Sequence, residues 1–276
     1  MLLALNLLQL GKRDLAATLC ERALEAAPGP DSRAYALALQ ACVALRKGRV
    51  PEALMYLEKG QGEAAAPRIR SMLAFYLGVV LYDRGEARQA LERFREARRH
   101  AGTDAAALAS CNDMGACCLA VGDPGQALRA FEDAEELGLY SARADVKRMR
   151  AAAAGGAGIA YANLGEEGLA IRCFRRSLRA YREAGNARGV ADQLINIGLM
   201  HRRQLRLDEA ARHLQAALGL AYTDGYQDGV LFARRQLGEA LALQGRHQEE
   251  AALDREISRR HPGIAGLLGR AARKSF

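Results

Sequence analysis

The feature that most constrains this chain is an internal repeat. The segments "LGVVLYDRGEARQALERFREA" (77–97), "MGACCLAVGDPGQALRAFEDA" (114–134), "AGIAYANLGEEGLAIRCFRRS" (157–177) and "IGLMHRRQLRLDEAARHLQAA" (197–217) align on one template. A first Gly recurs at Gly78, Gly115, Gly158, Gly198 and Gly238. Seven residues on, a second Gly stands at Gly85, Gly122, Gly165 and Gly245, and also at Gly11 and Gly48. An Ala follows at Ala16, Ala53, Ala90, Ala127, Ala170 and Ala210, with intervals of 37, 37, 37, 43 and 40 residues. Four residues after it comes a bulky side chain: Leu57, Phe94, Phe131, Phe174 or Leu214. Self-similarity at such a period is the mark of a stacked-repeat architecture.

Each position has a physical reason. A Gly inside a helix costs about 1 kcal/mol against Ala, so the first Gly predicts a close approach by a neighbour. The second Gly supplies the left-handed residue that ends a helix. The Ala lets the next helix close in, and the bulky residue fills the groove. The unit is an antiparallel helix pair, and its repetition predicts an all-α solenoid. Composition agrees: half of the 276 residues are hydrophobic, only 5% are aromatic and Trp is absent, so the apolar content is largely Ala and Leu.

The template resembles the tetratricopeptide repeat family over nearly the whole chain. The resemblance implies a right-handed α-solenoid forming a single domain over 1–276, with seven copies at about 1–30, 34–65, 71–102, 108–140, 151–185, 191–225 and 231–262, and a capping helix at 263–276. The Pro28 of "ALEAAP" matches the proline that closes such repeats. The family's signature Trp is missing, Leu205 replaces the second Gly of the sixth copy, and Glu250 takes the Ala position of the seventh, so those two joints are expected to pack differently. The long periods are similar to those of the kinesin light chain and of bacterial peptide-sensing regulators; the family's usual period is about 34 residues. The first copy lacks the start of its first helix. Its apolar stretch Met1 to Leu10 predicts either lost upstream sequence or self-association through an open end.

In arrays of this kind the first helix of each pair lines a concave groove. Carrying the family's groove positions onto this chain gives an apolar zone of Leu39, Leu45, Met72, Phe75, Tyr76, Val79 and Tyr82. A polar zone follows: Asn112, Asp113, Asn163, Asp192, Asn196, Arg202, Arg203, Arg235, Gln236 and Glu239. Such a groove suits an extended peptide, because an amide gives and takes a hydrogen bond as a peptide backbone does. Arg203 and Arg235 are expected to hold a carboxylate. The Lys, Asn and Arg set of chaperone-tail receptors is not found.

The net charge of +8 fits an acidic partner or a solvated basic surface. Arg172, Arg175, Arg176 and Arg179 form one stripe on a second helix, with Arg95 and Arg99 on the equivalent face earlier. The arginines are spread through the repeats without a basic tail, so nucleic-acid binding is the minor reading. The six cysteines form no CxxC pair and read as reduced packing residues of a cytoplasmic protein. No signal peptide and no apolar run of membrane-spanning length is evident.

Catalytic signatures are absent. The stretch "AAAAGGAGIAYANLG" lacks the GK[ST] ending of a phosphate loop, and its Gly155 and Gly156 read as room for a ligand or a looser helix. The 43-residue interval predicts a break in regularity between the fourth and fifth copies. The five histidines have no metal-binding spacing; His201 is expected to pack between helices. No cofactor is implied. The sequence therefore predicts a non-catalytic scaffold that binds a peptide or protein segment in its groove, with the sensor part of a bacterial regulator as the narrower form. The rivals are a helical-repeat nucleic-acid binder and an accessory region of an enzyme.

Overall fold

The computed structural model describes residues 13–260. The predicted Met1–Leu10 face and the 263–276 cap lie outside the described residues. The chain divides into two compact units, 1–141 and 142–276, at the place where the alanine interval lengthens to 43 residues. Each is described by itself. All regular structure among the described residues is helical.

The first unit holds α1 (Arg13–Glu25), α2 (Pro30–Arg46), α3 (Val50–Glu63), α4 (Pro67–Asp83), α5 (Ala87–Arg99), α6 (Asp104–Ala120) and α7 (Pro124–Leu137). The second holds α8 (Ala144–Asn163), α9 (Glu167–Glu183), α10 (Ala187–Arg203), α11 (Leu207–Thr223), α12 (Gln227–Leu243) and α13 (His247–Arg260). Within each unit a helix packs on the one before it and on the one after it, and first helices also touch: α2 on α4 and α4 on α6, then α8 on α10 and α10 on α12.

The starts of the helices are written in the sequence. Pro30, Pro67 and Pro124 stand in first turns, where a missing N–H costs nothing. Thr103, Asp123 and Asn186 cap α6, α7 and α10 by accepting the N–H of the third residue on. The ends are made by the second Gly. At Gly165, φ is 81°, and the next N–H, of Glu166, reaches back to the Tyr161 carbonyl at 2.9 Å. Leu205 does the same without being a glycine: its φ is 58°, and Arg206 donates to the His201 carbonyl at 2.9 Å. The sixth joint therefore keeps the common geometry, contrary to the expectation from its missing Gly. Its side chain is 76% exposed, so nothing crowds the strained backbone.

The first Gly answers to one neighbour. A Cβ on Gly78 would lie 2.8 Å from the Phe94 ring, one on Gly115 2.6 Å from Phe131, and one on Gly158 2.5 Å from Phe174. At Gly198 the neighbour is Leu214, also at 2.8 Å. In these four pairs the bulky side chain of the second helix thus sits on the bare backbone of its own first helix, whereas at Gly238 only the Glu250 side chain comes near, at 3.6 Å. A buried serine adds a second tie. Ser71 of α4 donates to the Ala97 carbonyl of α5 at 2.7 Å, and Ser177 of α9 donates to the Ala151 carbonyl of α8 at 2.6 Å. In the repeat these are the same place, with the hydroxyl moved to the opposite helix.

Cys20, Cys111, Cys117 and Cys118 are buried, Cys42 and Cys173 half-buried, and all six are free thiols. Burial pushes Cys111 up to about 11 and Cys117 up to about 12, which suits inert packing residues. His201 is 5% exposed, between α10 and α11, stacked on His213 with ring centroids 5.2 Å apart. Burial and the neighbouring His213 hold it below the ordinary imidazole range. Among the described residues no helix is long and apolar enough to cross a membrane, and no group of three potential metal ligands is gathered.

Candidate functional site

In the first unit, α2, α4 and α6 border a cleft of about 780 Å³. Tyr35, Met72, Phe75, Tyr76, Ile69, Ala106 and Ala109 make it largely apolar, with Asp31, Arg68, Thr103 and Ser110 among the polar groups around it. Phe75 is fixed by two edge contacts, to Tyr76 at 5.9 Å and to Phe94 at 5.5 Å. The Tyr76 hydroxyl bonds to the Cys42 thiol, and burial raises its pKa above the ordinary phenol value. Asp31 is a structural group here: it accepts the N–H of Ala65 and Ala66 at 2.8 and 2.9 Å, and these bonds hold its carboxyl below the usual range.

Three of the residues predicted for the apolar zone, Met72, Phe75 and Tyr76, line this cleft. Val79 is half-buried and Tyr82 is 39% exposed, further along α4. Leu45 is half-buried, whereas Leu39 packs in a core cluster with Ala16, Cys20 and Val43 and is not a groove residue. Asn112 and Asp113 lie half-buried on α6. Asp113 feels the nearby Tyr82 and Cys117 and has no cation beside it among the described residues; burial pushes its carboxyl up to about 6. The sequence reading missed Tyr35 and Ala109. Both sit at the register position of Met72, 37 residues before and after it, so the period itself carried that signal.

The polar residues of the second unit are more engaged than predicted. Asn163 is exposed at the end of α8 and Asn196 is half-buried on α10. Asp192, on α10, accepts the Tyr226 hydroxyl; burial raises its pKa and that hydrogen bond opposes the rise. Arg202 bonds directly to Glu239, and Arg235 reaches the same carboxylate at 3.4 Å while lying over the Phe232 ring at 5.8 Å. Arg203 donates to the Ala162 carbonyl at 3.3 Å and so closes the end of α8. Gln236 is 2% exposed and presents no amide to a groove. Gly155 leaves no room for a ligand either: the Gln193 amide fills the space, 3.1 Å from where a Cβ would stand.

No protein-family model matches the chain, and no curated protein matches it in sequence. Solved structures match it in shape. The apo form of RapI superposes with a TM-score of 0.72 at 14% identity, covering 91% of this chain and 71% of that one. A Rap protein complexed with competence and sporulation factor gives 0.71 at 10% identity, covering 93% and 73%. A signal transduction ATPase with a tetratricopeptide repeat sensor, from Pyrococcus horikoshii, gives 0.70 at 10% identity, covering 82% of this chain and 35% of that one. The chain has a tetratricopeptide repeat fold. At these identities the likeness is one of fold. It explains why the residues bordering the cleft come from α2, α4 and α6: in a tetratricopeptide repeat these are the first helices of successive pairs.

Proposed function

We propose that this tetratricopeptide repeat chain is a non-catalytic interaction scaffold that holds a peptide or protein segment against its first helices. The observation that carries the reading is the apolar cleft of about 780 Å³ on α2, α4 and α6. A concave apolar site with a few convergent polar groups is the usual form of a binding pocket. Met72, Phe75 and Tyr76 take apolar side chains of the segment; Val79, Tyr82, Asn112 and Asp113 contact it further along. The second unit is a surface of its own, where Asn163, Asp192 and Asn196 offer hydrogen bonds to the backbone amides of a bound segment. Arg202, Arg203, Arg235 and Glu239 frame that region through their own bonds.

The Rap protein complexed with competence and sporulation factor and the repeat sensor of the Pyrococcus ATPase support the sensor role; the narrower form of the reading is a sensor within a bacterial, cytoplasmic regulator. Affinity capture from the native lysate, with wild type and Met72→Asp as baits, tests the reading. A partner that is recovered by wild type and lost with Met72→Asp is then measured as a purified segment against both. Equal affinity for the two proteins overturns the assignment of the cleft.

A further inference from the structure

The exposed face of α9 carries an uncompensated row of arginines. Arg172, Arg175, Arg179 and Arg182 are all exposed, and none of the four forms an ion pair among the described residues. Arg176, which has an interaction of its own, stands between them. The row spans about 15 Å at the helical rise of 1.5 Å per residue. Packing does not call for it, since Ala170, Ile171, Phe174, Ser177 and Leu178 form the buried face of the helix. The antiparallel pairing that sets Ser177 against Ala151 brings the start of α8 alongside the end of α9. There Lys147 and Arg148 are exposed as well, while the one nearby acid of α8, Asp145, is already held by Arg143 at 2.7 Å.

The other second helices show that this is not the habit of the repeat. On α5 three of the five arginines are neutralised: Arg93 by Glu96 at 3.0 Å, Arg95 by Glu92 at 2.6 Å and Arg98 by Asp133 at 2.8 Å. On α7, Glu132, Asp133 and Glu136 occupy the register positions of Arg175, Arg176 and Arg179.

We propose that this face of α9 docks an acidic helical segment of another protein, with Asp or Glu repeating at intervals of three and four residues. Arg172, Arg175, Arg179 and Arg182 stand at intervals of three, four and three, the spacing of one helix laid along another. A guanidinium fork binds a carboxylate through two parallel hydrogen bonds, a geometry that a lysine row does not offer. A single exposed ion pair contributes little. Four in a row between two helices share one ordering cost and fix the register. Single-stranded nucleic acid fits this face less well, because it holds no exposed aromatic ring on which a base can stack; Phe174 is buried and Tyr181 is half-buried against Gly189.

The test uses the full chain and two labelled Ala-based helical peptides of identical composition. One has Glu at i, i+3, i+7 and i+10; the other has the same glutamates out of register. The proposal expects the in-register peptide to bind roughly tenfold tighter, as charge placement fixes register and specificity. Arg175→Glu with Arg179→Glu removes that advantage. Arg88→Glu with Arg99→Glu, the same change of net charge on exposed arginines of α5, keeps it. Arg175→Gln with Arg179→Gln, without charge reversal, gives an intermediate loss. Equal binding of both peptides, or equal losses in the α5 and α9 variants, overturns the proposal in favour of net-charge attraction. Tighter binding of a DNA duplex that is lost in Arg175→Glu with Arg179→Glu overturns it in favour of a nucleic-acid surface.

Discussion

The two units use one repeat to build opposite surfaces. Phe75 and Val79 of α4 answer in register to Arg235 and Glu239 of α12, and Tyr82 answers to Arg202 of α10. In the first unit these positions lead into an apolar cleft and, among the described residues, leave Asp113 without a cation. In the second they close into an Arg202–Glu239–Arg235 cluster. The positions that make the fold are the same in both, down to a ring or a leucine lying on a bare glycine. The comparison teaches that stability and surface chemistry are written on separate positions of the template.

Breaking the shared part should hurt both units alike. Phe94→Ala and Phe174→Ala each remove a ring that is 1% exposed and should each cost about 3–5 kcal/mol in urea denaturation. A large inequality between them would show that the equivalence is superficial.

The carboxylates sharpen the difference. The folded pKa of Asp113 is raised to about 6 from 3.8. The native state therefore holds this proton more tightly than the unfolded chain does, and stability falls as pH rises from about 4 to about 6 and stays level above that. Asp113→Asn should abolish this fall and stabilise the protein at neutral pH by on the order of 1–3 kcal/mol. Asp192→Asn should change the pH profile less, because the Tyr226 hydrogen bond partly offsets the burial of that carboxylate. Stability measured at a series of pH values checks both.

The serine ties provide a finer test. Ser71→Ala and Ser177→Ala should each cost about 1 kcal/mol. Adding Ala97→Ser to Ser71→Ala should restore most of the loss, since the second unit makes the same tie from that helix. The smallest effect belongs to the second unit's ion cluster. Glu239→Gln, on a carboxylate 43% exposed, should change stability by less than about 1 kcal/mol. It should also release Arg202 and Arg235, seen as stronger retention of acidic peptides by the variant than by wild type.

The repeat was legible because close packing restricts residue types at fixed intervals. Gly78 with Phe94 and Gly165 at a helix end follow from spacing alone. Leu205 shows the limit: the hydrogen bonds of a helix end can hold a leucine in a left-handed conformation, so the missing Gly did not mean a different joint. The cleft was half legible, since Met72, Phe75 and Tyr76 follow from the register and Tyr35 and Ala109 stand one period away. The ion cluster was not. Arg202 and Glu239 are 37 residues apart, and whether they pair or face a ligand depends on rotamers that no local pattern records. The same holds for Gln193, whose amide fills the gap at Gly155.

The ring-on-glycine contact has a further consequence. Because four of the helix pairs are locked by residues that each supplies to itself, their outward side chains take no part in the lock. Pairs of this kind behave like movable type: the body of each block is standard, and the character on its face can be recut without resetting the line. A chain built so can change what it reads one repeat at a time.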